Sequence, residues 1–166
     1  MEKSNKIGAK KWVIIWIAGL AGQLCWNIEN QWFNTFVYAK VAPDPSIITW
    51  MVAVSAIVST LSTFISGTGS DRLGRRKPFI VTGYILWGVF TIVFGAIEFL
   101  PKSNIMVLAS MVVLADAIMS FFGSLGNDAG FNPWTTDISN ENNRGGLGAV
   151  VAVQPVLATI VGSVIG

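Results

Sequence analysis

The stretch Gly67-Thr68-Gly69-Ser70-Asp71-Arg72-Leu73-Gly74-Arg75-Arg76-Lys77 lies between two long apolar runs and decides how the rest of the chain is read. Arg72, Arg75, Arg76 and Lys77 place four cations within six residues. Each such charge costs roughly 2.5 to 3.5 kcal/mol at the centre of a membrane helix. The stretch is therefore expected to be a loop held in water, with the apolar runs on either side forming helices in hydrocarbon.

Composition agrees. Hydrophobic residues make up 52% of the chain and charged ones 12%, and the mean hydropathy is +0.60, so there is more apolar surface than a soluble core can hide. An all-α integral membrane protein is expected. The net charge of +2 is small, and no basic face is interleaved with aromatics, so nucleic acid is not expected as a partner. Cys25 is the only cysteine and histidine is absent. That removes internal disulfides, cysteine clusters, His-ligated zinc and His-based triads. With no phosphate loop or activated nucleophile in view, neither an enzyme nor a cofactor is expected, and any proton chemistry falls to carboxylates.

Residues 1–11 read as a cytoplasmic tail and residues 12–166 as one transmembrane domain. The run 12–38 is too long for the apolar core of a signal peptide, about 7–15 residues, and lacks a small-residue cleavage site, so it predicts the first membrane helix. Further helices are expected at about 47–66, 78–100, 105–134 and 147–166, the first of these close to the roughly 20 residues that cross a bilayer. Asp44 is placed to cap the second helix, with Pro45 at its first position. Ser55, Ser59, Thr63 and Gly67 recur every four residues and predict a packing ridge of small side chains. Pro78 opens the third helix, with Tyr84 and Trp87 inside and Glu98 near its far end. The fourth exceeds a perpendicular span, which tilt, an aqueous extension or a break near Gly126 and Gly130 would accommodate. Residues 135–145 read as a polar loop. Gln154-Pro155 is expected to interrupt the fifth helix, and the chain stops inside apolar sequence, which reads as a cut.

Nine cations, Lys3, Lys6, Lys10, Lys11, Arg72, Arg75, Arg76, Lys77 and Arg144, fall on one side of this topology, against Lys40 and Lys102 on the other. The positive-inside rule then puts the amino terminus in the cytoplasm of a multi-pass cell-membrane protein. Short connections predict that sequential helices are antiparallel neighbours.

Polar residues within the apolar runs mark the candidate site. Gln23, Asn27, Asn30, Gln31 and Asn34 recur at helical spacing and predict one stripe, read as a wet cavity wall able to exchange hydrogen bonds with sugar-like hydroxyls. The plainer reading is interhelical bonding, worth on average about 0.6 kcal/mol per bond. Glu29 lies roughly a third of a turn from that stripe and is either a proton site or a structural acceptor. On the fourth helix Asp116, Ser120, Gly123 and Asn127 share a face, with Asp116 about 16 Å from the helix start, near mid-bilayer. Asp128 lies about three turns closer to the cytoplasm. Glu29, Asp116 and Asp128 are the candidates for proton or cation coupling. Candidate solute contacts are Gln23, Asn27, Asn30, Gln31, Asn34, Asp116, Asn127 and Asp128.

The pattern Gly-x-x-x-Asp-Arg-x-Gly-Arg-Arg-Lys at 67–77 resembles the loop between the second and third helices of the major facilitator superfamily, matching at every defined position. Gly22-Gln23-Leu24-Cys25-Trp26, the run from Gly74 to Ile80, and Asp128 to Asp137 followed by Asn143-Arg144-Gly145 look like the glycoside-pentoside-hexuronide cation symporters. Plant sucrose transporters and their bacterial relatives are the nearest shapes. The resemblance implies the amino-terminal five helices of a twelve-helix fold. It also implies a proton- or sodium-coupled sugar symporter working by alternating access, with a missing carboxy-terminal bundle as partner.

Asp128 matches the aspartate that the melibiose permease branch uses for sugar binding. The paired second-helix aspartates of that branch are absent from 47–66, so the proton is the preferred coupling ion. The fourth-helix arginine motif of many proton antiporters is absent as well. The resemblance makes Gly67, Asp71, Arg72, Gly74, Arg75, Arg76 and Lys77 a gating loop in which Asp71 meets Arg75 and a helix end of the other bundle. On this reading the five helices alone do not transport. An uncoupled uniporter and a non-transporting membrane scaffold or receptor-like protein stand as alternatives.

Overall fold

A computed structural model describes residues 7–101 and 103–165. The expectations for Lys3, Lys6, Lys102 and Gly166 fall outside the described residues. Five helices are long and apolar enough to cross a membrane: α1, Ala9–Val41; α2, Pro45–Leu73; α3, Lys77–Phe99; α4, Ile105–Asp137; and α5, Arg144–Ile165. No strand occurs among the described residues. Large apolar side chains such as Phe64 and Ile92 stand on the outside, as lipid-facing residues do when the solvent is hydrocarbon.

Local chemistry accounts for the helix ends. Asp44 Oδ1 accepts from the Ser46 N–H at 2.8 Å with Pro45 opening α2, and Asn104 Oδ1 accepts from Met106 and Val107 at the start of α4. These caps satisfy amides left without partners in a first helical turn. α2 does not stop at residue 66. It continues to Leu73 and ends at Gly74, whose φ of 60° is left-handed and favours glycine at a helix terminus. Gly67, Asp71 and Arg72 therefore belong to a helix rather than a loop, which shrinks to Gly74–Arg76. Polarity alone does not break a helix that has entered water.

Other bounds also lie a few residues beyond expectation: α1 spans Ala9–Val41 rather than 12–38, and the loop expected at 135–145 shortens because α4 ends at Asp137 and α5 begins at Arg144. α5 runs through Gln154-Pro155 without interruption. Proline removes a single amide donor, which packed membrane helices tolerate; Gln154 is fully buried and its Nε2 donates to Ile15 O at 2.9 Å. α4 is continuous to Asp137, and in place of a break it widens to π-type turns over Ser124–Phe131. α1 widens likewise at Glu29–Phe33 and Val37–Val41.

α4 sits at the centre, packed by α2 on one side and α3 on another, while α1 packs chiefly on α5. The expectation of sequential neighbours holds for α3 and α4 but not as the rule, since short connections set direction while matching faces set contact. A methyl on Gly83 would enter the backbone of Gly126, so α3 and α4 approach at glycine. On α2 the fully buried small residues are Ser62 and Ser70, with Ser55 and Ser66 nearly so, whereas Ser59, Thr63 and Gly67 are half-buried. A four-residue step overshoots the 3.6-residue turn by about 40° each time, so the expected ridge drifts off the contact. Ser62 Oγ donates to Phe121 O at 2.7 Å across α2 and α4.

Apolar clusters close both ends. Val37, Met51, Phe94 and Val112 pack at one, where Phe33 stacks on Phe94 with centroids 4.2 Å apart. Ile15, Phe131 and Leu147 pack at the other.

Candidate functional site

The widened turn at Glu29–Phe33 turns Glu29 into the bundle. Its Oε1 accepts from Ser120 Oγ of α4 at 2.5 Å and its Oε2 from Trp87 Nε1 of α3 at 3.4 Å. Glu29 is thus a buried acceptor that ties three helices together. Ser120 serves Glu29 rather than Asp116, the neighbour expected on its own face.

Beside Glu29 a cavity of about 140 Å³ opens between α1, α2 and α4, lined by Trp26, Glu29, Asn30, Asn34, Ser55 and Asp116 among others. Asp116 is 2% exposed. Its Oδ2 accepts from Ser55 Oγ, while its Oδ1 is buried with no hydrogen-bond partner among the described residues, as is Asn34 Oδ1. The amides of Asn30 and Asn34 donate to carbonyls of their own helix, Trp26 O at 2.7 Å and Asn30 O at 3.1 Å.

The expected amide stripe is therefore divided. Asn30 and Asn34 reach the cavity, Asn27 Nδ2 donates to Thr159 Oγ1 of α5 at 3.3 Å, Gln23 is half-buried and Gln31 is exposed. Wider turns advance each residue through a smaller angle, so a stripe drawn at regular spacing splits where the turn changes.

Asn127 and Asp128 form a second polar cluster. Asn127 Nδ2 donates to Asp128 Oδ1 at 3.0 Å, and Asn132 Nδ2 lies 3.5 Å from the same oxygen. The Tyr84 hydroxyl lies 2.9 Å from Ala18 O and 3.1 Å from Asn127 Oδ1. Asp128 does not line the Asp116 cavity. The sequence does not single out Tyr84, Trp87 or Ser55 as site residues; an indole or phenol placed among intramembrane acids is the signal that marks the two aromatics, because each needs a polar partner when buried.

At the basic end Arg76 joins three segments. Its Nη2 lies 2.6 Å from Asp71 Oδ1, its Nε 3.0 Å from Asp137 Oδ2, and its Nη1 donates to Ser70 Oγ at 2.5 Å. Hydrogen bonding to Asp137, and then to Asp71, raises the guanidinium pKa above its ordinary value. The partner of Asp71 is Arg76, not Arg75. Because α2 extends to Leu73, the turn at Gly74 swings Arg76 inward and leaves Arg72, Arg75 and Lys77 exposed.

A family model of the Major Facilitator Superfamily matches residues 12–166. The chain belongs to the major facilitator superfamily. Searches of curated proteins and of solved structures gave no match. As a major facilitator protein it is a multi-pass transporter of small-molecule solutes, and its family is one of transport rather than catalysis. Among its described residues every Lys and Arg lies near a helix end or in a connection, at positions 10, 11, 40, 72, 75, 76, 77 and 144, so the interior acids Glu29, Asp116 and Asp128 face no cation within the spans.

Proposed function

We propose that this facilitator is a secondary active transporter coupling a sugar or glycoside to a cation, with the proton preferred, by alternating access in the cell membrane with a cytoplasmic amino terminus. The observation that carries the reading is the set of intramembrane carboxylates, Glu29 and Asp116 buried and Asp128 half-buried, held among amides and hydroxyls with no interior cation among the described residues. Intramembrane acids are costly and mark ion or solute pathways by default.

The three acids divide by their partners. Glu29 is satisfied by two donors, whereas Asp116 keeps one oxygen unmatched and is the acid left open to a positively charged group. Asp128, with Asn127 and Tyr84, supplies acceptors and donors suited to solute hydroxyls. A second helical bundle facing α1, α2 and α4 would complete the pathway, since sites of such transporters lie between bundles. The Arg76 cluster then serves as the gate, made or broken as the basic end closes or opens.

Uptake of a labelled disaccharide into membrane vesicles under an imposed proton gradient tests the reading. Uptake driven by the gradient and lost in Asp128→Asn at equal abundance is the expected result. Solute uptake indifferent to the gradient favours the uniporter instead.

A further inference from the structure

We infer that the cavity between α1, α2 and α4 is the subsite for a cationic nitrogen of the solute, so that the cargo is an amino-bearing sugar or glycoside rather than a neutral one. The inference rests on the reading that α1 and α4 line a sugar pathway, and it adds the chemical group that distinguishes one sugar from another.

Hydrogen-bond accounting around the cavity is one-sided. The unmatched buried atoms at its wall are two oxygens, Asp116 Oδ1 and Asn34 Oδ1. The donors nearby are engaged: Ser55 to Asp116, the Asn30 and Asn34 amides to α1 carbonyls, and Ser120 and Trp87 to Glu29. A hydroxyl ligand both donates and accepts, but an ammonium only donates. The wall therefore suits the ammonium, and a buried acceptor left unmatched is costly enough to select for it.

Charge and size point the same way. Asp116 and Glu29 share the wall, and every described cation lies near a helix end or in a connection rather than beside them, so a positive ligand supplies the counter-charge that burial requires. Trp26 forms part of the wall, its ring held against Trp87 at 5.0 Å between centroids, and indoles attract ammonium groups. At about 140 Å³ the cavity is well below the roughly 300 Å³ of a pocket that encloses a whole ligand. It admits a nitrogen and its carbon, leaving the ring to the neighbouring amides. An alkali ion is less well served, since a hard cation seeks an oxygen cage, and Met51 and Val52 occupy part of the wall.

Calorimetric titration of the intact protein in detergent tests this, using glucosamine, glucose, methylammonium chloride and sodium chloride at matched ionic strength and a pH where the amines are protonated. Saturable binding of glucosamine and methylammonium, with glucose about tenfold weaker or more, is expected. Asp116→Asn should abolish the preference for nitrogen. Asn34→Ala, which removes an amide bonded only within its own helix, should weaken glucosamine about tenfold with an unchanged thermal midpoint.

Equal affinity for glucose and glucosamine overturns the inference, as does failure of both nitrogen probes to bind or unchanged affinity in folded Asn34→Ala. Sodium chloride saturating as methylammonium does overturns it in favour of an alkali-ion site. Because no gradient is applied, the result is independent of coupling. Gradient-driven glucose uptake without preference for glucosamine leaves the transporter reading intact and removes this one.

Discussion

Ser120 on α4 donates a 2.5 Å hydrogen bond to Glu29 on α1, joining the two helices that carry the cavity. Trp87 donates to the other carboxylate oxygen from α3. Replacing Glu29 with leucine leaves both donors buried without an acceptor, at a cost of about 1–3 kcal/mol. Glu29→Gln keeps one acceptor and should lose less. Thermal unfolding in detergent reads the difference, and equal midpoints for the two variants would show that these bonds contribute nothing to stability.

Gly83 and Gly88 both lie on α3 but face different surroundings. A methyl at Gly83 meets the Gly126 backbone, whereas one at Gly88 meets nothing within 4 Å. Gly83→Ala should destabilise by about 1–3 kcal/mol through overpacking, and Gly88→Ala should be neutral or slightly stabilising, since alanine is the better helix former. If the two variants unfold at the same temperature, the α3–α4 approach is not as close as described.

Arg76 and Arg75 are adjacent and chemically identical, yet only Arg76 reaches Asp71 and Asp137. Both acids are more than half exposed, so the stability at stake is at most about 1 kcal/mol. The expected effect of Arg76→Ala is on transport: slower uptake at normal abundance, with Arg75→Ala close to wild type. Reversed sensitivities would return the gate to Arg75.

Asp44 is fully solvated, and hydrogen bonds from Ser46 hold its pKa below the usual aspartate value. A carboxyl whose folded pKa is depressed stabilises fully above its unfolded pKa and loses that contribution as pH falls through the folded one. Acidifying through the aspartate range should therefore fray the start of α2. Asp44→Asn, which caps without a charge, should lessen that dependence; amide exchange at residues 46–49 as a function of pH would show it, and identical profiles would refute the cap's role.

Much of the architecture was legible before any coordinates. The Asp44-Pro45 start, the Pro78 start and the five spans rest on local signals, and local signals survive folding. The site was legible only in its parts. Asp116 stood out because an acid in an apolar run is costly wherever its neighbours lie. Its pairing with Ser55 is not visible in the sequence, where Ser55 reads as one member of a packing ridge. Nor was the split of the amide stripe, because regular spacing assumes a uniform helix and α1 widens at Glu29–Phe33.

By itself, then, the sequence determined the number of spans and the family, through the hydropathy of its runs and the placed glycines, aspartate and cations of residues 67–77. The tertiary structure decided which arginine pairs with Asp71, which acid is satisfied and which keeps an open oxygen, and that α1 leans on α5 while α4 takes the centre. Partition into a membrane depends on composition summed along the chain, whereas a hydrogen bond depends on an angle and a distance between helices. A one-residue change in where α2 stops, or one widened turn in α1, is enough to exchange its partners.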